Sequence, residues 1–145
     1  MEINSLTAKT AYFDTNVFIY LIENNPEYKD IITQLIQHLD TLDCQIYTSD
    51  LTLAECLVKP FADNDIDSQQ CYKQSIANSD FLTVKQVSRN TLINAAKMRS
   101  LVKNKLPDSI HLATALQCEC AIFVGNDKKL RTTEDIQHVI LADLV

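Results

Sequence analysis

Apolar positions along the chain follow two periods. Short, nearly continuous runs at 10–13 (TAYF), 44–49 (CQIYTS), 81–87 (FLTVKQV), 121–124 (AIFV) and 138–141 (HVIL) read as strands. Between them the spacing turns helical. Val17 to Glu23 predicts a first helix, broken by Asn24, Asn25 and Pro26. From Glu27 onward, Tyr28, Ile31, Ile32, Leu35, Ile36 and Leu39 recur at steps of three and four, an amphipathic helix. Residues 49–60 predict a helix capped by Ser49 or Asp50 and stopped before Pro60. Residues 63–79 form a weaker helix anchored by Ile66, Tyr72 and Ile76, with 61–70 expected as a mobile loop. The span 88–105 is a strong helix whose apolar side is Leu92, Ala95, Ala96, Leu101 and Val102, with Met98 partly on it. Pro107 then opens a helix through DSIHLATALQCEC. The order βααβααβααβ, with a last strand at HVIL, predicts an α/β domain of three layers around a mainly parallel sheet. No linker, repeat or low-complexity segment divides residues 1–145, so a single domain is expected.

Composition narrows the possibilities. At 145 residues and 46% hydrophobic, the chain can bury a full core without disulfides or structural metal. Nineteen acids against 13 bases give a net charge of -6, which argues against a simple basic nucleic-acid binder. The charge is uneven: residues 1–83 hold 4 bases and 13 acids, whereas 84–145 hold 9 bases and 6 acids. The second half is thus the part suited to a polyanion. Five cysteines, an odd number with no C-x-x-C pair, read as small buried thiols of a reducing cytosol. No apolar leader opens the chain and no run is long enough for a membrane helix, so a cytoplasmic protein is expected. The single glycine, Gly125, excludes glycine-rich nucleotide loops and the G-x-S-x-G elbow.

Ligands of parallel sheets gather at the carboxyl ends of the strands. Four acids fall there within otherwise apolar sequence. Asp14 follows the first strand, Asp127 follows the fourth, Asp108 opens a helix after Pro107, and Glu55 lies about one turn into the helix after the second strand. Clustered carboxylates repel one another, and a hard divalent cation removes that cost. Such a cation lowers the pKa of a bound water and stabilises phosphoryl transition states, so phosphodiester hydrolysis is the natural chemistry. Each acid also has a plain structural reading. Asp108 suits a helix start, Asp127 a cap or turn, and Asp14 a capping turn in DTN.

Several other residues carry weaker signals. His111, at i+3 from Asp108, faces nearly the same side of its helix; it is read as a satisfied, half-buried histidine, with contact to the site as the alternative. Of the bases near the acids (Arg99, Lys103, Lys105, Lys128, Lys129 and Arg131), Arg99 lies nearest the apolar stripe and is the candidate for gripping the phosphates of a polyanionic substrate. Phe18, Tyr20, Tyr28 and Phe81 read as core residues.

Four segments together, YFDTNVFIYLIE, TSDLTLAECLV, LPDSIHLATAL and FVGNDKKL, resemble in order and spacing the PIN-domain nucleases, most of all VapC-type toxins of toxin–antitoxin pairs. The likeness spans nearly the whole chain. It implies a PIN-like fold and makes Asp14, Glu55, Asp108 and Asp127 the metal-binding, catalytic acids, supported by Asn16 and Ser49. It also implies Mg²⁺ or Mn²⁺, endoribonuclease activity, a homodimer and a cognate antitoxin. Two positions depart from the pattern: Gly125, where many relatives have Thr or Ser, and Leu130, in place of a frequent aromatic. Both bear on Asp127. Three rivals stand beside this reading: a phosphatase with an aspartyl nucleophile, an inactive PIN-like module that binds RNA or protein, and a nuclease acting on DNA. The first normally needs D-x-D, and Asn16 occupies its second place.

Overall fold

Each of the five apolar runs becomes a strand: β1 (Thr10–Phe13), β2 (Gln45–Ser49), β3 (Leu82–Lys85), β4 (Ile122–Gly125) and β5 (Gln137–Ile140). Two helices precede each of β2, β3 and β4: α1 (Thr15–Ile22) with α2 (Lys29–Thr41), α3 (Asp50–Ala62) with α4 (Ile66–Ser75), and α5 (Arg89–Leu101) with α6 (Leu106–Gln117). The computed structural model describes residues 1–145. Its sheet runs β3-β2-β1-β4-β5 with every neighbouring pair parallel. The helical crossovers return the chain to the same end of the sheet and so make β1 to β4 parallel, and the helix-free link 126–136 does the same for β5. β1 is the central strand, flanked by β2 and β4; β1 and β4 carry no exposed residue, as expected when both faces are covered.

Side-chain alternation sorts the core. Ala11, Phe13, Ile122 and Val124 face α1 to α4, where Val17, Ile32, Leu35, Leu39, Cys56 and Tyr72 are buried with them. Tyr12 and Phe123 face the other way, onto Leu112, Ala115 and Leu130. They are register partners, and their rings stack at 5.3 Å. Burying each large apolar side chain contributes about 1.5–3 kcal/mol, so this two-sided core carries the fold.

The structure departs from the sequence pattern in places. α3 runs through Pro60 to Ala62. Pro60 sits in the last turn, where losing one N–H costs little, and its carbonyl still accepts from Asp65 N and Gln69 Nε2. Residues 61–70 are therefore not a mobile loop. Only residues 63–65 link α3 to α4, and the Asp65 carboxylate caps α4 through Ser68 N at 3.1 Å. Ser49 stands at the N-cap of α3 but makes no capping bond, its hydroxyl being engaged by Tyr12.

α5 ends at Leu101, and it buries Thr91 and Ala95; Leu92, Ile93 and Leu101 stay 46%, 54% and 76% exposed. Its main packing partner is α6, which covers a narrow strip of small residues. Phe81 precedes the edge strand and is likewise exposed, whereas Phe18 is buried. All five thiols are free. Cys56 and Cys120 are buried, Cys44 and Cys118 partly so, but Cys71 is exposed on α4. No helix is long and apolar enough to cross a membrane.

Candidate active site

Chain connections leave β1 toward β2 on one side and arrive at β4 on the other. The carboxyl ends of β1 and β4 therefore open a crevice, the usual ligand position of such sheets. Asp14 is the first residue past β1. Its N–H donates to Val124 O at 2.9 Å, continuing the ladder, and its Oδ1 accepts from Thr15 N at 2.7 Å, capping α1. That cap explains how a carboxylate comes to be buried to 7% exposure between two apolar elements. As the residue two beyond Tyr12, Asp14 points toward the α6 side of the sheet.

Three elements converge on it. Glu55, half-buried in the second turn of α3, accepts from Thr15 Oγ1 at 2.7 Å. His111, 1% exposed on α6, places Nε2 2.5 Å from Glu55 Oε1 and 3.5 Å from Asp14 Oδ1. Its Nδ1 lies 2.7 Å from the hydroxyl of Tyr12, which donates to Ser49 Oγ at 2.9 Å. Ligating atoms of Asp14, Glu55 and His111 all fall within 4.8 Å of one another.

The electrostatics follow from burial and proximity. Burial pushes the Asp14 carboxyl above its ordinary value; Glu55 and Asp127 add to this, while His111 and the Thr15 amide oppose it. Burial likewise raises Asp108, reinforced by Asp14 and Asp127. Burial also raises Glu55, but the hydrogen bond and charge of His111, with the Thr15 hydroxyl, outweigh it and leave Glu55 below the usual range. His111 is the reverse case: burial disfavours its charge, yet Glu55, Asp14 and Asp108 together raise its pKa.

Of the acids picked out by sequence, Asp14 and Glu55 share the closest cluster. Asp108, in the first turn of α6, and Asp127, just past β4, act on it through their charges but lie outside the 4.8 Å group. Asp127 Oδ1 accepts from Lys129 N at 2.9 Å, so one of its oxygens closes a turn. Ser49 is fully buried and reaches the cluster only through Tyr12. Asn16 is half-buried at the second position of α1, and Arg99 is exposed on α5 without an ion-pair partner. Tyr12 and Thr15 had no functional signal in the sequence. His111 is satisfied, as read, but fully buried and inside the cluster; its i+3 spacing from Asp108 was the available clue.

The donor set fits a divalent cation. Two carboxylates and an imidazole nitrogen meet beyond the carboxyl end of β1, and two further acids add negative potential that a cation would offset.

A family model described as PIN domain matches residues 11–136. Solved structures with the same fold include a toxin–antitoxin complex from Klebsiella pneumoniae, 23% identical over 87% of this chain and 94% of that one, with a TM-score of 0.64. VapBC2 from Rickettsia felis, bound to a DNA fragment from its promoter, is 16% identical over 90% of this chain and 98% of that one, with a TM-score of 0.72. Mycobacterium tuberculosis VapC20, a toxin that cleaves the sarcin–ricin loop, is 13% identical over 83% and 92%, with a TM-score of 0.66. No curated protein matches the sequence.

Proposed function

The chain belongs to the PIN-domain family, and on that premise we propose that it is a metal-dependent endoribonuclease, the toxin of a toxin–antitoxin pair. The convergence of Asp14, Glu55 and His111 at the sheet's switch point, inside the field of Asp108 and Asp127, carries the reading. A divalent ion, Mg²⁺ or Mn²⁺, would supply an activated water and offset the charge of a phosphoryl transition state. Asp14 is the central ligand, held rigid by its cap on α1. Glu55 is held from two sides by Thr15 and His111. Asp108 and Asp127 complete the acidic rim and keep the crevice attractive to cations. Arg99, exposed on α5, grips RNA phosphate at a distance from the chemistry.

Partners follow from the same reading. The Klebsiella and Rickettsia neighbours are toxin–antitoxin complexes, which supports a cognate antitoxin here, and a cytoplasmic location goes with it. The exposed Leu92, Ile93 and Leu101 on α5 support self-association as a homodimer.

The test is cleavage of a mixed pool of structured and single-stranded RNA with Mg²⁺, Mn²⁺ or EDTA, comparing wild type with Asp108→Asn. Metal-dependent cutting that the variant loses is the expected result. A folded wild type that neither cuts nor binds metal would leave the inactive binding module as the reading.

A further inference from the structure

His111 is tied into the cluster by both ring nitrogens, and the two ties differ in kind. Tyr12 has one proton, and it goes to Ser49 Oγ at 2.9 Å. The tyrosine oxygen therefore meets Nδ1 of His111, at 2.7 Å, as an acceptor. That leaves Nδ1 as the donor of this contact. Nε2 lies 2.5 Å from Glu55 Oε1, with Thr15 Oγ1 at 3.3 Å and Asp14 Oδ1 at 3.5 Å, and its hydrogen bond to Glu55 fills that contact. A cation taking the place of the proton shared there would meet one imidazole nitrogen and two carboxylates at once. The Tyr12–Ser49 pair behind Nδ1 is the kind of outer partner that orients a metal-bound histidine. The ring is further fixed edge-on to Tyr12, with centroids 5.7 Å apart, and is almost wholly buried.

We propose that Nε2 of His111 is itself a metal ligand, so that the centre is a mixed nitrogen–oxygen site selecting Mn²⁺ or another first-row transition ion over Mg²⁺. The proposal rests on the divalent-ion reading above and refines it. Imidazole suits transition ions, whereas Mg²⁺ takes oxygen and keeps its waters. Three protein donors, from the β1–α1 junction, α3 and α6, would leave the ion's remaining positions to water or substrate.

The experiment uses the full chain, stripped with EDTA, and Mn²⁺ alone as the probe. The protein has three histidines, so a His38→Gln/His138→Gln chain retains only His111. Pulsed EPR of Mn²⁺ bound to that chain is expected to show ¹⁴N coupling, replaced by ¹⁵N coupling after ¹⁵N-histidine labelling. His111→Asn keeps an amide near the Nδ1 position while deleting Nε2. It is expected to abolish the coupling and weaken Mn²⁺ binding by about 10- to 100-fold, the scale that even outer partners of a ligand reach, with a smaller effect on Mg²⁺. The labelled chain decides the matter without that variant if the variant fails to fold. Mn²⁺ bound without histidine coupling would overturn the proposal and leave the metal-nuclease reading standing. No Mn²⁺ or Mg²⁺ binding by calorimetry would overturn both.

Discussion

Gly125 and Asp14 stand side by side at the ends of β4 and β1. A β-carbon at 125 would lie 3.3 Å from both Cβ and Oδ2 of Asp14. The register dictates this, since Phe13 pairs with Val124 and the next residues leave adjacent strands together. Gly125 does not adopt a positive φ, so its role is to permit the close approach and not an unusual turn.

Gly125→Ala should therefore push the Asp14 carboxylate aside by a few tenths of an ångström. The overpacking costs about 1–3 kcal/mol. Cleavage should fall by about tenfold, within the ~10²-fold that a 1 Å misplacement brings. Single-turnover rates, set beside urea melts of the same variant, check this; an unchanged rate would show that Asp14 tolerates the shift.

Asp14→Asn should abolish cleavage yet stabilise the metal-free protein at neutral pH. Asparagine caps a helix as well as aspartate does, so the fold keeps its bond to Thr15 N. The folded pKa of Asp14 is raised above 3.8 by burial. The acid thus costs nothing below pH 3.8, and its cost grows as pH rises through the folded value. The variant's melting temperature at pH 7 should rise by roughly 2–4 °C, the shift that about 1 kcal/mol produces at this size. The gain should vanish in acid. A variant that melts below wild type at pH 7 would assign Asp14 to structure alone.

Tyr12→Phe removes the hydroxyl between Ser49 and His111 while keeping the ring stacked on Phe123. It leaves Nδ1 of a buried imidazole without its partner, at a cost of about 1–3 kcal/mol. Equilibrium denaturation measures that loss. Metal affinity should drop with it, because His111 is then free to turn.

Asn104 is a buried clamp. Its side chain donates to Arg131 O at 2.7 Å and accepts from Arg131 N at 2.9 Å, tying the end of the α5–α6 link to the loop after β4. Asn104→Ala should cost about 1–3 kcal/mol and loosen residues 126–131, which hold Asp127. Faster amide exchange at Leu130 and Arg131, with slower exchange elsewhere unchanged, is the expected signature. Cleavage should fall only if Asp127 contributes to it.

How far the chain explains itself differs between its elements. All five strands and six helices were readable from periodicity, because burial on one stripe or on both faces leaves a pattern in the residues themselves. The misread parts were those whose state depends on a neighbour. Leu92 and Leu101 look like core by spacing, yet α6 covers only Thr91 and Ala95, so the larger side chains remain outside. Pro60 looks like a helix stop, yet the turn it ends accepts the lost bond and α3 continues.

Asp14 and Glu55 stood out in the sequence because a carboxylate in an apolar run needs a reason, and Asp108 because it followed a helix-opening proline. By itself, then, the sequence determined the elements, their order, the parallel sheet and the acids at its edge. Only the tertiary structure decided that His111 completes the inner cluster in place of Asp108 or Asp127. It also decided that Tyr12, from the opposite pleat to Phe13, orients that histidine. The reason is geometric: those side chains lie 96 to 99 positions apart or on separate elements, and no local period records which of them meet once the helices dock on the sheet.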